Sequence, residues 1–294
     1  MRVAVLNSSP RVGWTNRRLL QALANRGFEA HYVLWDAFSA SNRGACRVQY
    51  RGRCNYFDAV IVRGIGRSIS PEILEYRYTL LELLEKDNIY VINPAHSIRV
   101  ARNKLSATMK LDECGLPTPE TLVTENPAAA LRAVKVFNRA VIKPLMGSLG
   151  LGSFLADGVD TAYYVVNLLA ELNQPLYIQK YIDKRNNRDI RVFVVDGEVA
   201  AAIYRYAEGW KSNIAQGAKP APADLDNHIA GLAVRAAACI GLLYAGIDIV
   251  ESTENGRVYI LEANASPLWR GLYRATGVDP ATHIAELVWR LLKA

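Results

Sequence analysis

The segment LEANASPLWRG (261–271) ends an apolar run with a carboxylate and an amide, Glu262 and Asn264, placed two positions apart. Side chains alternate between the two faces of a strand, so this pair lies on one face, about 6.7 Å apart. The earlier apolar run YAGIDIV (244–250) is interrupted in the same way by Asp248. The pattern predicts an antiparallel hairpin that carries three oxygen-bearing side chains.

The register of this hairpin determines whether the three side chains meet. A two-residue loop at the turn signal Asn255-Gly256 pairs Asp248 with Ala263 and places it on the opposite face from Glu262. A three-residue loop, with Gly256 in the left-handed conformation, pairs Asp248 with Glu262. Two carboxylates facing each other in an apolar setting repel unless a divalent cation lies between them. We therefore predict the three-residue loop and a magnesium site formed by the two carboxylates and the amide, with solvated acids on a surface hairpin as the alternative.

Length and charge limit the class of protein. The chain has 294 residues, which predicts two or three domains at roughly 150 residues per domain. No apolar run approaches the roughly 20 residues of a membrane span, and the start MRVAVLNSS lacks the features of a signal peptide, so we expect a cytoplasmic protein without a membrane partner. The net charge of +7 suits an anionic small molecule or an acidic protein. Nucleic acid is an unlikely partner, because the densest basic stretch, residues 184–188, has no interleaved aromatic residues and is typical of a solvated loop.

The cysteines do not indicate a metal site. Cys46, Cys54, Cys114 and Cys239 contain no C-x-x-C pair, and the four histidines are spread along the chain. We predict free thiols, with a Cys46–Cys54 disulfide as the alternative.

The first third of the chain alternates short apolar runs with helical patterns. This alternation predicts a parallel sheet covered by helices, with ligands at the carboxyl ends of its strands. Arg63 follows one of these strands and is a candidate for substrate binding, although a capping or surface arginine is equally compatible. No G-x-G-x-x-G motif indicates a dinucleotide. Strands are predicted at 3–6, 31–35, 57–63 and 90–94, and helices at 17–26, 71–86 and 97–113.

A glycine-rich loop follows the strand that ends at Lys143, in VIKPLMGSLGLGS (141–153). Glycines allow backbone N–H groups to approach phosphate oxygens closely, and a lysine adds a positive charge. The lysine precedes the glycines, so this is not a Walker A loop, and a flexible loop is the simpler explanation.

Two further segments carry candidate groups. The strand at 175–182 could read an adenine edge through its backbone, although an ordinary strand is the simpler interpretation. Residues 188–207 predict a hairpin that turns at Asp196-Gly197 and ends near Arg205. The polar residues 211–213 follow it, and we expect them to face the same cleft as the metal, with exposed hairpin polars as the alternative.

In this order the motifs resemble the ATP-grasp superfamily and, more narrowly, the RimK-like ligases, which add glutamate or similar amino acids to a carboxylate. The resemblance covers essentially the whole chain. It implies an α/β architecture: two α+β subdomains that grip ATP, at 96–182 and 183–294, preceded by a Rossmann-like domain with a parallel sheet at 1–95. The matching segments are FDAVIVRGIGRSIS (57–70), RNKLSATMKL (102–111), VIKPLMGSLGLG (141–152), RDIRVFVV (188–195), IYRYAEGWKSN (203–213), GIDIV (246–250), LEANASP (261–267) and TGVDPA (276–281).

The resemblance also implies roles for individual residues. Arg205 matches an arginine that steadies a reacting acyl phosphate. Asp248, Glu262 and Asn264 match ligands of Mg²⁺ or Mn²⁺. The implied ATP contacts are Lys104, Lys143, Gly147, Ser148, Gly150, Gly152, Gln179, Lys180, Tyr181, Ile182, Asp189, Lys211, Ser212 and Asn213, and the implied substrate contacts are Arg63, Ser266 and Arg270.

Two departures from the family pattern concern the substrate. The family motif N-L-H-R-G-G is replaced by residues 213–218, which lack its histidine and arginine. Arg270 stands where the members that modify a ribosomal protein carry an acid. The resemblance therefore implies an ATP-dependent ligase that joins glutamate to an acceptor carboxylate through an acyl phosphate, and we expect a homo-oligomer. The acceptor is a coenzyme, a peptide C-terminus or an acidic carrier protein as in lysine biosynthesis, and the alternative is a nucleotide-binding regulator without turnover.

Overall fold

The computed structural model describes residues 1–66, 69–147, 150–212, 214 and 217–293. The N-terminal part contains a parallel sheet with strand order β2-β1-β6-β7. The predicted parallel sheet is therefore confirmed. In chain order the elements are β1 (Arg2–Asn7), α1 (Trp14–Asn25), β2 (Glu29–Leu34), β3 (Phe38–Ala40), β4 (Val48–Tyr50), β5 (Arg53–Cys54), β6 (Ala59–Val62), α2 (Pro71–Lys86) and β7 (Tyr90–Ile92).

Strands β3, β4 and β5 form a small antiparallel sheet that the sequence did not predict. Its strands are two or three residues long, too short for a recognisable alternation of apolar and polar residues. A disulfide between Cys46 and Cys54 spans it, and a second disulfide joins Cys114 to Cys239. The prediction of free thiols was wrong.

The helix predicted at 97–113 is two helices, α3 (Ala95–Arg102) and α4 (Lys104–Glu113). Asn103 interrupts it with an extended backbone (ψ 108°), and its side-chain oxygen accepts hydrogen bonds from the N–H groups of Leu105 and Ser106. This is an N-cap, in which asparagine satisfies N–H groups that have no partner inside the helix. The break makes Lys104 the first residue of the new helix.

The central part forms an antiparallel sheet with strand order β10-β9-β11-β8. Alternate residues of its strands, such as Ile142 and Ile178, pack against the two helices that cover one face. The intervening residues, Lys143 and Gln179 among them, point away from that core. The elements are β8 (Thr121–Thr124), α5 (Pro127–Phe137), β9 (Arg139–Lys143), β10 (Phe154–Asp157), α6 (Val159–Glu171) and β11 (Leu176–Lys180).

The C-terminal part forms a second antiparallel sheet with strand order β14-β13-β12-β15-β16. Helix α7 packs on one face, and helix α9 packs between the other face and helix α1 of the N-terminal part. The elements are β12 (Arg188–Val195), β13 (Glu198–Tyr206), β14 (Lys219–Pro222), α7 (Asn227–Ile240), β15 (Tyr244–Glu251), β16 (Val258–Asn264), α8 (Arg270–Thr276) and α9 (Pro280–Lys293). None of the helices in the described ranges is long and apolar enough to cross a membrane.

The hairpin β15–β16 pairs Asp248 with Glu262, as predicted, although its loop and register differ from those predicted. The loop closes with a hydrogen bond from the Ser252 N–H to the Arg257 carbonyl oxygen, so it contains four residues rather than three. An irregularity next to Asp248 then shifts the register by one residue, because Ile249 pairs with Ile260. A β-bulge at this point returns both carboxylates to one face.

Candidate active site

A cleft lies between the central sheet and the C-terminal sheet, and most of the predicted nucleotide and metal residues line it. The predicted residues among its walls are Lys104, Lys143, Gly147, Gly150, Gln179, Lys180, Tyr181, Ile182, Asp189, Arg205, Lys211, Ser212, Asp248 and Glu262. Ser148 and Asn213 lie outside the described residues, and Gly152, Asn264, Arg63, Ser266 and Arg270 are not among the residues that line the cleft.

Lys143 lies at the end of β9, on the cleft side of the central sheet. Its Nζ donates to Gln179 Oε1 on β11 at 2.6 Å, and Gln179 Nε2 donates to Thr121 Oγ1 at 3.0 Å on the next strand. Burial lowers the pKa of the Lys143 ammonium to about 8, against the opposing attraction of Glu262. The three neighbouring strands therefore hold a poorly solvated cation that an anionic ligand would stabilise.

The glycine-rich loop is hydrogen-bonded to both sides of the cleft. Lys104 Nζ donates to the Gly147 carbonyl oxygen at 3.4 Å, and Lys211 Nζ donates to the Gly150 carbonyl oxygen at 3.4 Å. A Cβ atom on Gly147 would lie 3.0 Å from the Pro144 ring, so glycine permits this close approach. Burial lowers the pKa of Lys104 as well, again opposed by Glu262.

Lys184 is a cleft cation that the sequence analysis missed. Its Nζ donates to the Trp210 carbonyl oxygen at 2.8 Å and to Ser212 Oγ at 2.7 Å, and burial lowers its pKa. It belongs to the basic stretch that the sequence analysis interpreted as a solvated loop. One feature of the sequence could have identified it. Lys184 lies five residues before Asp189, which the resemblance to the family assigns to the nucleotide.

Arg205, on β13, is buried between two carboxylates. Its Nε and Nη2 donate to the two carboxylate oxygens of Asp189 at 2.7 and 2.8 Å. The same Nη2 also donates to Asp248 Oδ1 at 2.8 Å. Burial alone would lower the pKa of this guanidinium, but the attraction of Asp248 and Asp189 outweighs it and keeps the pKa above its ordinary value. Ser212 also donates to Asp189, so the network fixes Arg205 and the start of the loop after β13 together.

Asp248 has a second arginine partner, Arg191, which lies directly opposite it on β12. Arg191 donates to both oxygens of Asp248, at 2.5 and 2.7 Å. Burial opposes ionisation of Asp248, but the two arginines hold the pKa of its carboxyl below the ordinary value. Asp248 is thus a carboxylate at neutral pH.

The donor set fits a hard divalent cation. Asp248 and Glu262 face each other across neighbouring strands and both line the cleft. Asn264 follows on the same strand, and its Nδ2 donates to the Gly246 carbonyl oxygen at 3.2 Å, so the amide nitrogen rather than the oxygen is engaged. Two carboxylates and an amide oxygen suit Mg²⁺, which prefers oxygen ligands and also takes phosphate oxygens. No group of three or more His, Cys, Asp or Glu residues that could hold a metal occurs among the described residues.

The adenine candidates lie at the exit of β11. The Lys180 N–H donates to the Glu120 carbonyl oxygen at 2.8 Å, and the Tyr181 N–H donates to the Arg139 carbonyl oxygen at 2.9 Å. These two donors are therefore unavailable for a base. The Ile182 N–H has no backbone partner among the described residues, which makes it the candidate donor to an adenine edge.

The substrate-binding candidates lie elsewhere. The Arg63 guanidinium is buried at the carboxyl end of the N-terminal sheet, where it donates to the Pro267 carbonyl oxygen at 2.8 Å and packs 4.7 Å from the Trp269 ring. Ser266 donates to the Val62 carbonyl oxygen at 2.8 Å. Both side chains connect the N-terminal part to the C-terminal part, and their role in substrate binding stays a prediction. Arg270 is exposed at the start of α8.

Comparisons with known proteins agree on one family. Residues 101–288 match the model of the RimK-like ATP-grasp domain, and residues 1–98 match the RimK PreATP-grasp domain. The chain is 34% identical over 251 residues to a tetrahydromethanopterin:alpha-L-glutamate ligase of Methanocaldococcus jannaschii, covering 83% of this chain and 84% of that protein. It is 31% identical to a probable alpha-L-glutamate ligase of Legionella pneumophila (strain Corby), covering 100% of this chain and 97% of that protein.

Solved structures show the same fold. The ATP-grasp ligase PsnB, complexed with a phosphomimetic variant of its minimal precursor, Mg and ADP, superposes with a TM-score of 0.78 at 20% identity, covering 99% of this chain and 98% of that one. ATP and Mg²⁺ are typical ligands of this fold. The predicted ATP-grasp architecture is confirmed, and the relatives support an ATP-dependent ligase that forms C–N bonds. The chain belongs to the RimK-like ATP-grasp family.

Proposed function

We propose that this ligase joins glutamate to an acceptor carboxylate through an acyl phosphate. The observation that carries the proposal is the convergence in one cleft of four cations, one buried and three half-buried, with two opposed carboxylates: Arg205, Lys104, Lys143, Lys184, Asp248 and Glu262. Cations that are shielded from solvent suit a triphosphate, and opposed carboxylates suit the metal ion that accompanies it. The names of the relatives favour glutamate as the added amino acid.

The reaction needs activation because a carboxylate oxygen is a poor leaving group. The acceptor carboxylate attacks the γ-phosphorus of ATP, the bond to ADP breaks, and an acyl phosphate forms. The amino group of glutamate then attacks the acyl carbon, loses a proton, and expels inorganic phosphate. Each step moves negative charge within the cleft, so fixed positive groups lower the barrier.

Different residues of the cleft neutralise charge, position other side chains and exclude water. Lys143 and Lys104 neutralise phosphate oxygens from the central side, and Arg205 offsets charge on the transferring group from the C-terminal side. Asp248, Glu262 and Asn264 would hold the metal ion, which supplies charge neutralisation between phosphate oxygens. Asp189 positions Arg205 and does not contact the reacting atoms in this scheme. Gly147 and Gly150, whose carbonyl oxygens accept from Lys104 and Lys211, form part of the cleft wall and help to exclude water from the bound phosphates.

A screen of ADP release tests the proposal. Glutamate and other amino acids are crossed with candidate acceptors that end in a carboxylate: a peptide C-terminus, a coenzyme and an acidic carrier protein of the lysine-biosynthesis type. We expect ADP release that requires both an amino acid and an acceptor, with a product heavier than the acceptor by one or more glutamate residues in mass spectrometry. ATP binding without ADP release under any combination would instead indicate a nucleotide-binding regulator.

The pKa of Lys143 predicts how nucleotide affinity depends on pH. Its ammonium loses its proton near pH 8 in the free cleft, and bound phosphates favour the charged form. The Kd for Mg·ATP should therefore rise as pH increases from 8, by up to about tenfold per pH unit while this group titrates. Lys143→Met should weaken binding at pH 7 by about tenfold and flatten the slope above pH 8, as measured by calorimetry.

The lowered pKa of Lys143 also makes the free energy of unfolding depend on pH, and here a higher pH is favourable, whereas it weakens nucleotide binding. The folded pKa lies below the ordinary value of 10.5, so the unfolded chain binds more protons between pH 8 and 10.5, and this group's contribution favours folding progressively as pH rises through that window. Lys135→Met, at an exposed position of helix α5, is the control for the binding experiment and should leave nucleotide affinity and its pH slope unchanged. An unaltered slope in Lys143→Met would remove Lys143 from the phosphate site.

A further inference from the structure

Arg191 is a charged residue of the C-terminal sheet to which the proposed reaction gives no role. It lies on β12 directly opposite Asp248 on β15, and its side chain is only 13% exposed. Its Nε and Nη2 donate to the two oxygens of Asp248 at 2.5 and 2.7 Å. Arg191 is not among the residues that line the cleft, so its contact with the site runs through Asp248.

The hydrogen bonds of Asp248 leave little room for a metal ion. A carboxylate has about four lone-pair sites. Oδ1 of Asp248 accepts from Arg191 and from Arg205, and Oδ2 accepts from Arg191. Two guanidinium charges therefore face one carboxylate charge. A metal ion at Asp248 has to share an oxygen with an arginine or replace one of these hydrogen bonds.

Arg191 is the partner that can give way. Arg205 is fixed by a second acid, because it also donates to both oxygens of Asp189. Within the described part of the chain, Arg191 has a carboxylate within 4 Å only in Asp248. Its release would thus leave the pair formed by Arg205 and Asp189 intact.

The neighbouring strand provides space for the Arg191 guanidinium. A Cβ atom on Gly246 would lie 2.7 Å from Arg191 Nη1 and 2.8 Å from Pro267 Cβ, so a larger residue would displace one of them. Gly246 lies two residues before Asp248 and shares its face of the sheet. Glycine weakens the interior of a strand and often marks a close approach. Here that close approach is the guanidinium beside Asp248.

The cleft as a whole carries an excess of positive charge. Six of the described residues that line it are cations, whereas three are carboxylates: Lys104, Lys143, Lys180, Lys184, Arg205 and Lys211 against Asp189, Asp248 and Glu262. This excess repels a free divalent cation, and the phosphates of a nucleotide reverse it. Arg191 adds a further positive charge directly beside Asp248.

We propose that Arg191 keeps a divalent metal ion from binding to Asp248 until a nucleotide supplies its phosphate charge. The metal ion then enters the cleft together with the nucleotide and not before it. Arg191 is accordingly a positioning residue that acts on the metal ion through Asp248. This inference rests on the metal site of the proposed function and adds an order of binding to it.

Binding of Mn²⁺ to the full chain without nucleotide tests the proposal. Electron paramagnetic resonance measures the free Mn²⁺ and thus its Kd. We expect weak binding to wild-type protein and a Kd at least about tenfold lower in Arg191→Met, because a positive charge next to the metal ligand is lost. Damage to the fold would not produce tighter binding. Melting temperatures should agree: Mn²⁺ alone should raise that of Arg191→Met and leave that of wild type unchanged.

Arg188→Met is the matched control. Arg188 also lies on β12, is 14% exposed, and donates to an acid of β15, Glu251, at 3.0 Å. Arg188→Met should bind Mn²⁺ as weakly as wild type. Adding Glu262→Gln to Arg191→Met should remove the gain, because Glu262 lies opposite Asp248. If Arg191→Met fails to fold, Arg191→Gln replaces it, since glutamine keeps one N–H donor without the charge.

An unchanged Mn²⁺ Kd in the Arg191 variants would overturn the proposal, as would an equal gain in Arg188→Met or a gain that survives Glu262→Gln. Tight binding of Mn²⁺ to nucleotide-free wild-type protein would overturn it as well. Failure of the proposed metal site would appear differently. In that case Mn²⁺ would not raise the melting temperature of wild-type protein even with ADP present, and absence of ADP release with every acceptor would count against the ligase function itself.

Discussion

Replacing Glu262 with glutamine should reduce ADP release by about 10²- to 10³-fold while leaving the fold intact. Asp248 is already bound by Arg191 and Arg205, which compensate most of its charge. Glu262 has no ion-pair partner within 4 Å in the described ranges, although it lies directly opposite Asp248. Glu262 is therefore the cleft carboxylate whose charge is available to a metal ion. Glutamine keeps its size and an amide oxygen but removes that charge.

Magnesium dependence distinguishes this role from a general loss of activity. The melting temperature of wild-type protein with ATP should rise further when Mg²⁺ is added, because a ligand that binds the folded state stabilises it. In Glu262→Gln this additional rise should be largely lost. Glu254→Gln, in the exposed hairpin loop, should behave as wild type. Wild-type turnover with an unchanged half-saturating Mg²⁺ concentration in Glu262→Gln would exclude Glu262 from the metal site.

The β15–β16 hairpin shows what sequence reasoning can and cannot provide here. The pairing of Asp248 with Glu262 followed from an electrostatic argument, which required the two acids to share one face. The loop was wrong, because turn chemistry at Asn255-Gly256 is compatible with several loop lengths and a bulge can correct the register afterwards. The electrostatic argument required Asp248 and Glu262 to share one face of the hairpin. Several conformations of the connecting loop satisfy that requirement.

Lys184 and Arg63 show that a local sequence pattern does not reveal which residues a charged side chain contacts in the fold. Lys184 was assigned to a solvated loop because its neighbours in sequence are charged, yet it is half-buried and contacts residues 26 and 28 positions away. Arg63 was assigned to the substrate because it follows a parallel strand, where ligands commonly bind. In the structure the chain itself occupies that position, through Pro267 and Trp269. In both cases tertiary contacts at long sequence separation determine what the charged side chain contacts, and a substrate role for Arg63 stays a prediction.

The Cys114–Cys239 disulfide was missed for a similar reason, whereas the alternative of a Cys46–Cys54 disulfide is confirmed. Cys114 directly follows α4 and Cys239 lies in α7, and these helices are brought together only by the tertiary fold, across a separation of 125 residues. Spacing in the sequence therefore could not indicate the pair. The consequence is structural, because the bond connects the helix that begins with Lys104 to the helix that packs behind the C-terminal sheet.

Removing the long-range disulfide should cost far more stability than removing the local one. In the chain-entropy model, cross-linking a loop of about 125 residues contributes roughly 5 kcal/mol, against roughly 2.5 kcal/mol for a loop of about eight residues. Cys114→Ser with Cys239→Ser should therefore lower the free energy of unfolding about twice as much as Cys46→Ser with Cys54→Ser. Guanidinium denaturation of oxidised protein, followed by tryptophan fluorescence, measures both differences.

The two variants serve as controls for each other, because each removes one disulfide and introduces two serines. Reduction of wild-type protein should lower its stability, whereas the Cys114→Ser/Cys239→Ser variant should respond to reductant only through the shorter Cys46–Cys54 loop. Equal losses in the two variants would contradict the entropic explanation, and four free thiols in purified wild-type protein would contradict the pairing itself. Lys104 begins α4, and Cys114 directly follows its last residue, Glu113. A larger increase in the Kd for Mg·ATP in the Cys114→Ser/Cys239→Ser variant than in the Cys46→Ser/Cys54→Ser variant would therefore show that this cross-link also positions a cation of the cleft.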